Sequence, residues 1–325
     1  MLKQVRLSFP RLPAFVLTAL LAFIMLMLLP GARYAQDRIQ AGSKIQGHLN
    51  PVIAKLAQGK TVYGIITTDL TATNARDVAR APVDFVHIDQ EHNPLDLPAL
   101  QLFILGTIDK GAVLRKGNLQ PDVAMFASFP PRADESYWVV EQALNIGLYG
   151  IFYHDVETKK QAETAVEQMR IPQPRGSKYA KPVGTRSSGP PSAPWVWGLG
   201  TDRVEYERHA DLWPLNPDGD LLAVLIIESV EGVENVDAIA STPGVGALHV
   251  VSANDLAHSM GVPQSSPEVE EARQKVLRAC KAHHVACAIS AATPEEIVMR
   301  VNQGWNIIRS GTNAIVAAKK TLGDR

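Results

Sequence analysis

The chain has 325 residues, 46% of them hydrophobic and 20% charged, with a formal net charge of -1. That profile belongs to a globular protein able to bury a full core, and it excludes a disordered chain. Near-neutral charge without a basic run also argues against nucleic acid as the main partner, because phosphate binding needs clustered Lys and Arg.

The first 36 residues differ from the rest: Lys3, Arg6 and Arg11 precede Ala14 to Leu29, an uncharged apolar run ended by Pro30. This is the pattern of an export signal. Cleavage after Ala35 would put Arg33 at the minus-three position, where a small residue is wanted, so an uncleaved membrane anchor stays open beside a cleaved signal. Both readings expect residues 37–325 to work outside the cytoplasm, in a bacterial periplasm or at the inner membrane facing it.

Beyond the leader, short runs rich in Val, Ile, Leu and Phe alternate with stretches of helical spacing, the signature of βα units around a parallel sheet. The predicted strands are Val62 to Ile66, Phe85 to Asp89, Val123 to Ala127, Gly150 to Tyr153, Leu222 to Ile227, Ala247 to Val251, Val285 to Ile289 and Asn306 to Ile308. Predicted helices include Tyr137 to Asn145, Lys159 to Met169, Gly232 to Ala240, Glu268 to His283 and Pro294 to Asn302. Thr293 and Pro294, followed by Glu295 and Glu296, form a good helix start: a capping hydroxyl, proline at the first helical position and acids in the first turn. Eight such units predict one (β/α)8 TIM barrel, an α/β fold. Pro172 to Asp220, between strands 4 and 5, is rich in Pro and Gly, holds Trp195, Trp197 and Trp213, and shows little periodicity. It reads as a long excursion over the mouth of the barrel or into a neighbouring subunit.

The two cysteines, Cys280 and Cys287, fall at a helix end and inside the next strand, which favours two buried free thiols over a bridge. His283 and His284 between them lack the paired spacing of a zinc site and read as a helix-to-strand loop.

In a barrel of this kind the chemistry lies at the C-terminal ends of the strands. Strand 2 ends in Asp89, Gln90, Glu91 and His92, strand 5 in Glu228 and strand 6 in Asp255. Glu228 and Asp255, on adjacent strand ends, can converge on one hard divalent cation, with a histidine from another strand as the base. Each also has a plain reading: Glu228 and Asp255 as helix caps, His92 as a polar loop residue. Their joint placement at one barrel end favours the site.

These residues resemble the HpcH/HpaI family of metal-dependent pyruvate aldolases, the 4-hydroxy-2-oxoheptanedioate aldolase type within the citrate-lyase-like superfamily. "DFVHIDQEHNPLDL" and "IESVEGVENVDAIASTPGVGALHVVSANDLAHSMG" are similar to that family's two signature segments, and the likeness runs with gaps from about Gly64 to Thr312. The resemblance implies that Glu228 and Asp255 ligate a divalent metal, Mg2+, Mn2+ or Co2+, which holds pyruvate. It implies that His92 acts as acid or base with a metal-bound water, and that Asp89 and Glu91 orient both. It further implies small-molecule partners, a 2-oxo acid and an aldehyde, and a homo-oligomer, commonly a hexamer. Ile315 and Val316 give the final helix an apolar face for such docking or for packing on its own barrel.

Several positions depart from the family pattern. No arginine stands at the end of strand 3, where the family binds the pyruvate carboxylate; Arg132 is the nearest, several residues late. Asn145 and Ile226 replace polar family residues, strand 4 ends in Tyr153, His154 and Asp155, and the tip after strand 6 reads Ser252, Ala253, Asn254, Asp255. "VGTRSSG" is similar to a family loop, which would bring Arg186 and Ser187 to substrate; a structural role for Arg186, tying the long loop down, stands beside that reading. Arg132, Arg186, Ser252 and Ala253 are therefore the candidate substrate contacts. The expected function is cleavage or formation of a carbon–carbon bond of a 4-hydroxy-2-oxo acid through a pyruvate enolate. Other enolate chemistry on the same centre, on a citryl-like or malyl-like ester, and an exported carboxylate-binding barrel without turnover are the alternatives.

Overall fold

The computed structural model describes residues 47–130, 132–189, 192–200, 202–250 and 253–323; the leader expected at residues 1–36 lies outside them. After a short helix, α1 (Pro51–Leu56), come eight strands: β1 (Val62–Thr67), β2 (Phe85–Asp89), β3 (Ala124–Ser128), β4 (Gly150–Tyr153), β5 (Leu222–Ile226), β6 (Ala247–Val250), β7 (Ala286–Ser290) and β8 (Ile307–Arg309). Each pairs in parallel with the next, and β8 pairs with β1 to close the barrel. The strands are buried along almost their whole length, as strands covered by helices outside and by each other's side chains inside must be.

The helices follow in chain order: α2 (Ala72–Val78), α3 (Leu97–Gly106), α4 (Lys110–Lys116), α5 (Tyr137–Ile146), α6 (Lys159–Met169), α7 (Ala193–Val196), α8 (Arg203–His209), α9 (Val230–Glu234), α10 (Val236–Ala240), α11 (Ala253–Met260), α12 (Pro267–His283), α13 (Pro294–Gln303) and α14 (Thr312–Leu322). Thr293 caps α13 as its sequence predicts, its hydroxyl accepting the Glu296 N–H at 3.2 Å. The single helix expected over Gly232 to Ala240 is instead the pair α9 and α10, broken at Asn235, whose side chain donates to the Glu157 carbonyl at 2.8 Å.

Inside the barrel the rings of Phe85, Phe126 and Phe152 meet at centroid distances of 5.7 to 6.3 Å. Their bulk dictates two glycines. A Cβ on Gly64 would lie 2.2 Å from the Phe85 ring, and one on Gly150 would lie 2.2 Å from the Phe126 ring.

The excursion between β4 and β5 is anchored at the foot of the barrel, not over the mouth as one of its two readings expected. Helices of a barrel run antiparallel to the strands, so the C-terminal ends of α5 and α6 mark the foot, the end opposite the mouth. There the described residues of the excursion are tied. Trp197 stacks on Tyr149 with centroids 4.7 Å apart and donates Nε1–H to the Gly147 carbonyl at 2.9 Å. Arg170, fully buried, forks onto Asp211 at 2.6 and 2.9 Å, and buried Asp220 accepts from the Asn50 N–H at 3.1 Å while meeting His209 Nδ1 at 2.6 Å. Trp197, Asp211 and Asp220 of the excursion thus find their partners under β4 and β5.

Cys280 in α12 and Cys287 in β7 are buried and free. His284 ends α12 in the left-handed region at φ 56° and His283 meets Asp237 at 2.7 Å, so both serve the helix end.

Candidate metal and acid–base site

Every strand delivers its last inward residue to the mouth, and the polar ones gather in two sectors. The first begins at the tip of β2. Asp89 accepts the backbone N–H groups of Glu91 and His92 at 3.0 and 3.1 Å, which folds the tip back on itself. The same carboxylate lies 3.0 Å from His92 Nδ1, so the proton sits on Nδ1 and Nε2 is left as the basic atom. Burial pulls the His92 pKa down, but the hydrogen bond and charge of Asp89, with the charges of Glu91 and Asp255, outweigh it and raise the net value above the ordinary one. The imidazole is 73% exposed and therefore accessible from the mouth.

Beside it, His154 follows β4, buried, with Nε2 2.8 Å from the Phe129 carbonyl. Its Nδ1 stands 3.5 Å from both Glu91 Oε1 and Asp155 Oδ2. Asp155 adopts φ 52°, and its backbone N–H donates to Glu228 Oε1 at 2.8 Å. Burial pushes the Glu228 carboxyl up to about 7; the Asp155 N–H opposes this, and the charges of Asp155, Glu91 and Asp255 add to it. Burial likewise raises Glu91, against the pull of His154 and His92.

Donor atoms of His154, Asp155 and Glu228 lie within 4.8 Å of one another, as do those of Asp89, Glu91 and His92. A buried carboxyl whose proton is held on by burial and by neighbouring carboxylates is what a hard divalent cation relieves, so the set of His154, Asp155 and Glu228 fits a divalent metal; Asp255, the second expected ligand, belongs to neither cluster. Asp255, exposed in the first turn of α11, bears on Glu228 and His92 through its charge.

The four expected substrate contacts fare differently. Arg132 reaches the rim, where it donates to the Asp155 carbonyl at 3.2 Å and pairs with Glu157 at 2.5 Å. Arg186 does not reach the mouth. It is 1% exposed, donates to Asn145 at the foot end of α5 at 2.9 Å, and lies over the Tyr206 ring, so of its two readings the structural one is observed. Ala253 opens α11, and Ser252 lies outside the described residues.

Three mouth residues escaped the sequence reading. His154 and Asp155 were visible only as a departure at the end of strand 4. Arg309 ends β8, where position alone marks it, and its Nη1 meets His87 Nδ1 at 2.8 Å. Burial lowers its pKa to about 10, against the pull of Asp89, Glu228 and Glu91, so it remains cationic at neutral pH.

Residues 69–317 match the HpcH/HpaI aldolase/citrate lyase family. The chain belongs to that family. It is similar to a hydroxypyruvate/pyruvate aldolase of Delftia acidovorans, 28% identical over 285 residues that cover 85% of this chain and 91% of the relative. A 5-keto-4-deoxy-D-glucarate aldolase of Salmonella paratyphi C is 27% identical over 287 residues, 85% of this chain and 96% of that one. Among solved structures, an HpcH/HpaI aldolase/citrate lyase family protein from Burkholderia cenocepacia superposes with a TM-score of 0.66 at 26% identity, covering 84% of this chain and 98% of the other. This family member is a carbon–carbon lyase acting on small molecules, and its kind depends in general on a divalent metal.

Proposed function

We propose that this chain cleaves or forms a carbon–carbon bond of a 4-hydroxy-2-oxo acid by way of a pyruvate enolate, at the mouth sector built from β2, β4 and β5. The observation that carries this reading is the pairing of Asp89 with His92 Nδ1, which leaves a basic Nε2 at a mouth where the charges of Glu91 and Asp255 also act on the ring. Glu228, with Asp155 beside it, and Asp255, whose charge acts on Glu228, are the residues that would hold Mg2+, Mn2+ or Co2+. A bound divalent cation supplies Lewis-acid stabilisation of the negative charge developing on the 2-oxo oxygen.

The protein's own groups do the rest. His92 Nε2 takes the proton from the 4-hydroxyl, Asp89 holds the ring in that tautomer and stabilises the imidazolium, and His154 fixes Glu91 and Asp155 in place. No lysine Schiff base is needed. An exported, periplasmic setting and a homo-oligomer belong to the same proposal; the leader pattern supports the first and family resemblance the second.

The test is proton NMR of pyruvate in deuterated water with the full-length chain, with Mg2+, Mn2+ or Co2+ and with chelator. Metal-dependent loss of the methyl signal is expected. His92→Ala should lower aldol cleavage by about 10²–10⁴-fold while metal binding persists, and Glu228→Gln should abolish metal binding and turnover together. Full activity in either variant would sink the assignment.

A further inference from the structure

The second polar sector of the mouth lies across from the acidic one, at the ends of β7, β8 and β1. It is an open cavity of about 730 Å³ whose lining includes Arg309, Arg273, Ser290, Ser310, Thr312 and Glu296. Its chemistry is inverted with respect to the first sector: two guanidinium groups and the hydroxyls of Ser265, Ser290, Ser310 and Thr312 against a single carboxylate. That carboxylate is engaged, Glu296 Oε2 accepting the Ala292 N–H at 2.8 Å.

Several donors, in contrast, are left over, although Arg273 Nη1 reaches Glu270 at 3.4 Å. Ser290 Oγ, Ser310 Oγ and Arg273 Nε are buried atoms without a hydrogen-bond partner, a condition that costs free energy unless a ligand meets them. Arg309 has no carboxylate within ion-pair distance among the described residues. It is held by a neutral relay instead. Arginine only donates, so His87 Nδ1 must accept, which places the His87 proton on Nε2, 3.0 Å from Ser128 Oγ at the end of β3. Buried His87 titrates well below its ordinary value, through burial first and then the charges of Arg309 and His92, so it stays the acceptor across the neutral range. The relay fixes the guanidinium without neutralising it. Ser290 pairs in register with Arg309, which brings their side chains to the same level of the mouth. α14 then starts from Gly311 with no side chain capping it, adding a favourable end for negative charge.

Arg132, the one arginine near the end of β3, is spent on Glu157. We infer that the carboxylate-binding subsite of this enzyme lies between the ends of β7 and β8, where Arg309 and Arg273 with the hydroxyls of Ser290 and Ser310 take a substrate carboxylate. The two sectors thus divide the substrate: its carboxylate goes to the β7–β8 side, its reacting centre to the β2–β4–β5 side. That the bound acid is a substrate rests on the proposed function; that the pocket binds carboxylates does not.

The test is isothermal titration of the full-length chain with succinate and with inorganic phosphate, in EDTA and at constant ionic strength. Succinate should bind without metal. Arg309→Gln should weaken it by about tenfold or more, as loss of a charge-assisted fork does, and Ser290→Ala with Ser310→Ala should weaken it severalfold. Circular dichroism checks that each variant is folded, and the serine pair, which fills no core space, keeps the test decisive if Arg309→Gln does not fold. Glu228→Gln should bind succinate undiminished. Absence of succinate binding, phosphate binding tighter than succinate, or unchanged affinity in the serine pair would each overturn the assignment. Deuterium exchange on the same protein, freed of EDTA and supplied with Mg2+, Mn2+ or Co2+, separates the two conclusions. Succinate binding without exchange leaves the subsite standing and removes the aldolase reading; exchange without succinate binding does the reverse.

Discussion

Glu228 stands well out of its ordinary state, through burial first and then the charges of Asp155, Glu91 and Asp255. A carboxyl raised from 4.5 to about 7 holds its proton in the folded chain over a range in which the unfolded chain has lost it. The stability this gives is complete below pH 4.5 and drains away as pH rises to about 7. Metal-free protein should therefore melt at progressively lower temperature over that window, and Glu228→Gln should flatten the trend. At pH 8, Mn2+ should raise the melting temperature of the wild type and leave that of Glu228→Gln unmoved. Calorimetric scans across pH, with and without metal, check both statements. His92 is shifted in the same direction with a different consequence. Its working form is the neutral ring, so the pH at which exchange rises should sit above 6.5, and Asp89→Asn should move that rise to lower pH while slowing the reaction. A pH–rate profile that does not move in the variant would disconnect the pair.

At the scale of elements, strands were legible because their apolar runs are unmistakable and because turn residues bound them; β3, β7 and β8 are each shifted by one residue from expectation, and β1 and β5 each end one residue away. Glu228 and Asp255 were legible for the same reason, since a polar residue ending an apolar run stands out. His154, Asp155 and Arg309 end such runs too, yet nothing in spacing tells which strand ends face one another across a mouth. The mouth reading of the excursion failed because composition marks a segment as a connection without saying which end of the barrel it covers; that depends on buried partners such as Arg170 with Asp211. Those partners carry stability. Asp211→Ala leaves the fully buried Arg170 guanidinium uncompensated and should cost about 3–5 kcal/mol. Trp197→Ala opens a cavity against Tyr149 and should cost about 3–5 kcal/mol as well. Denaturant titration measures both, and turnover per folded molecule should remain that of the wild type.

For the molecule as a whole, the barrel separates what holds it together from what reacts. The foot carries packed aromatics and a paired buried arginine, while the mouth carries crowded like charges and unmet donors. Changes at the two ends should then add. A Trp197→Ala, His92→Ala double variant should show the stability loss of the first and the activity loss of the second, each within error of the single variants. A departure larger than about 0.5 kcal/mol in stability would mean that foot and mouth are coupled. The two cysteines extend the division to chemistry in the test tube. Both are enclosed, and burial, with Cys287 as neighbour, holds the Cys280 thiol far from its reactive thiolate form. The native chain is therefore silent to a thiol-modifying reagent, and every sulfur that such a reagent captures counts a molecule in which the β6–β7 wall has opened.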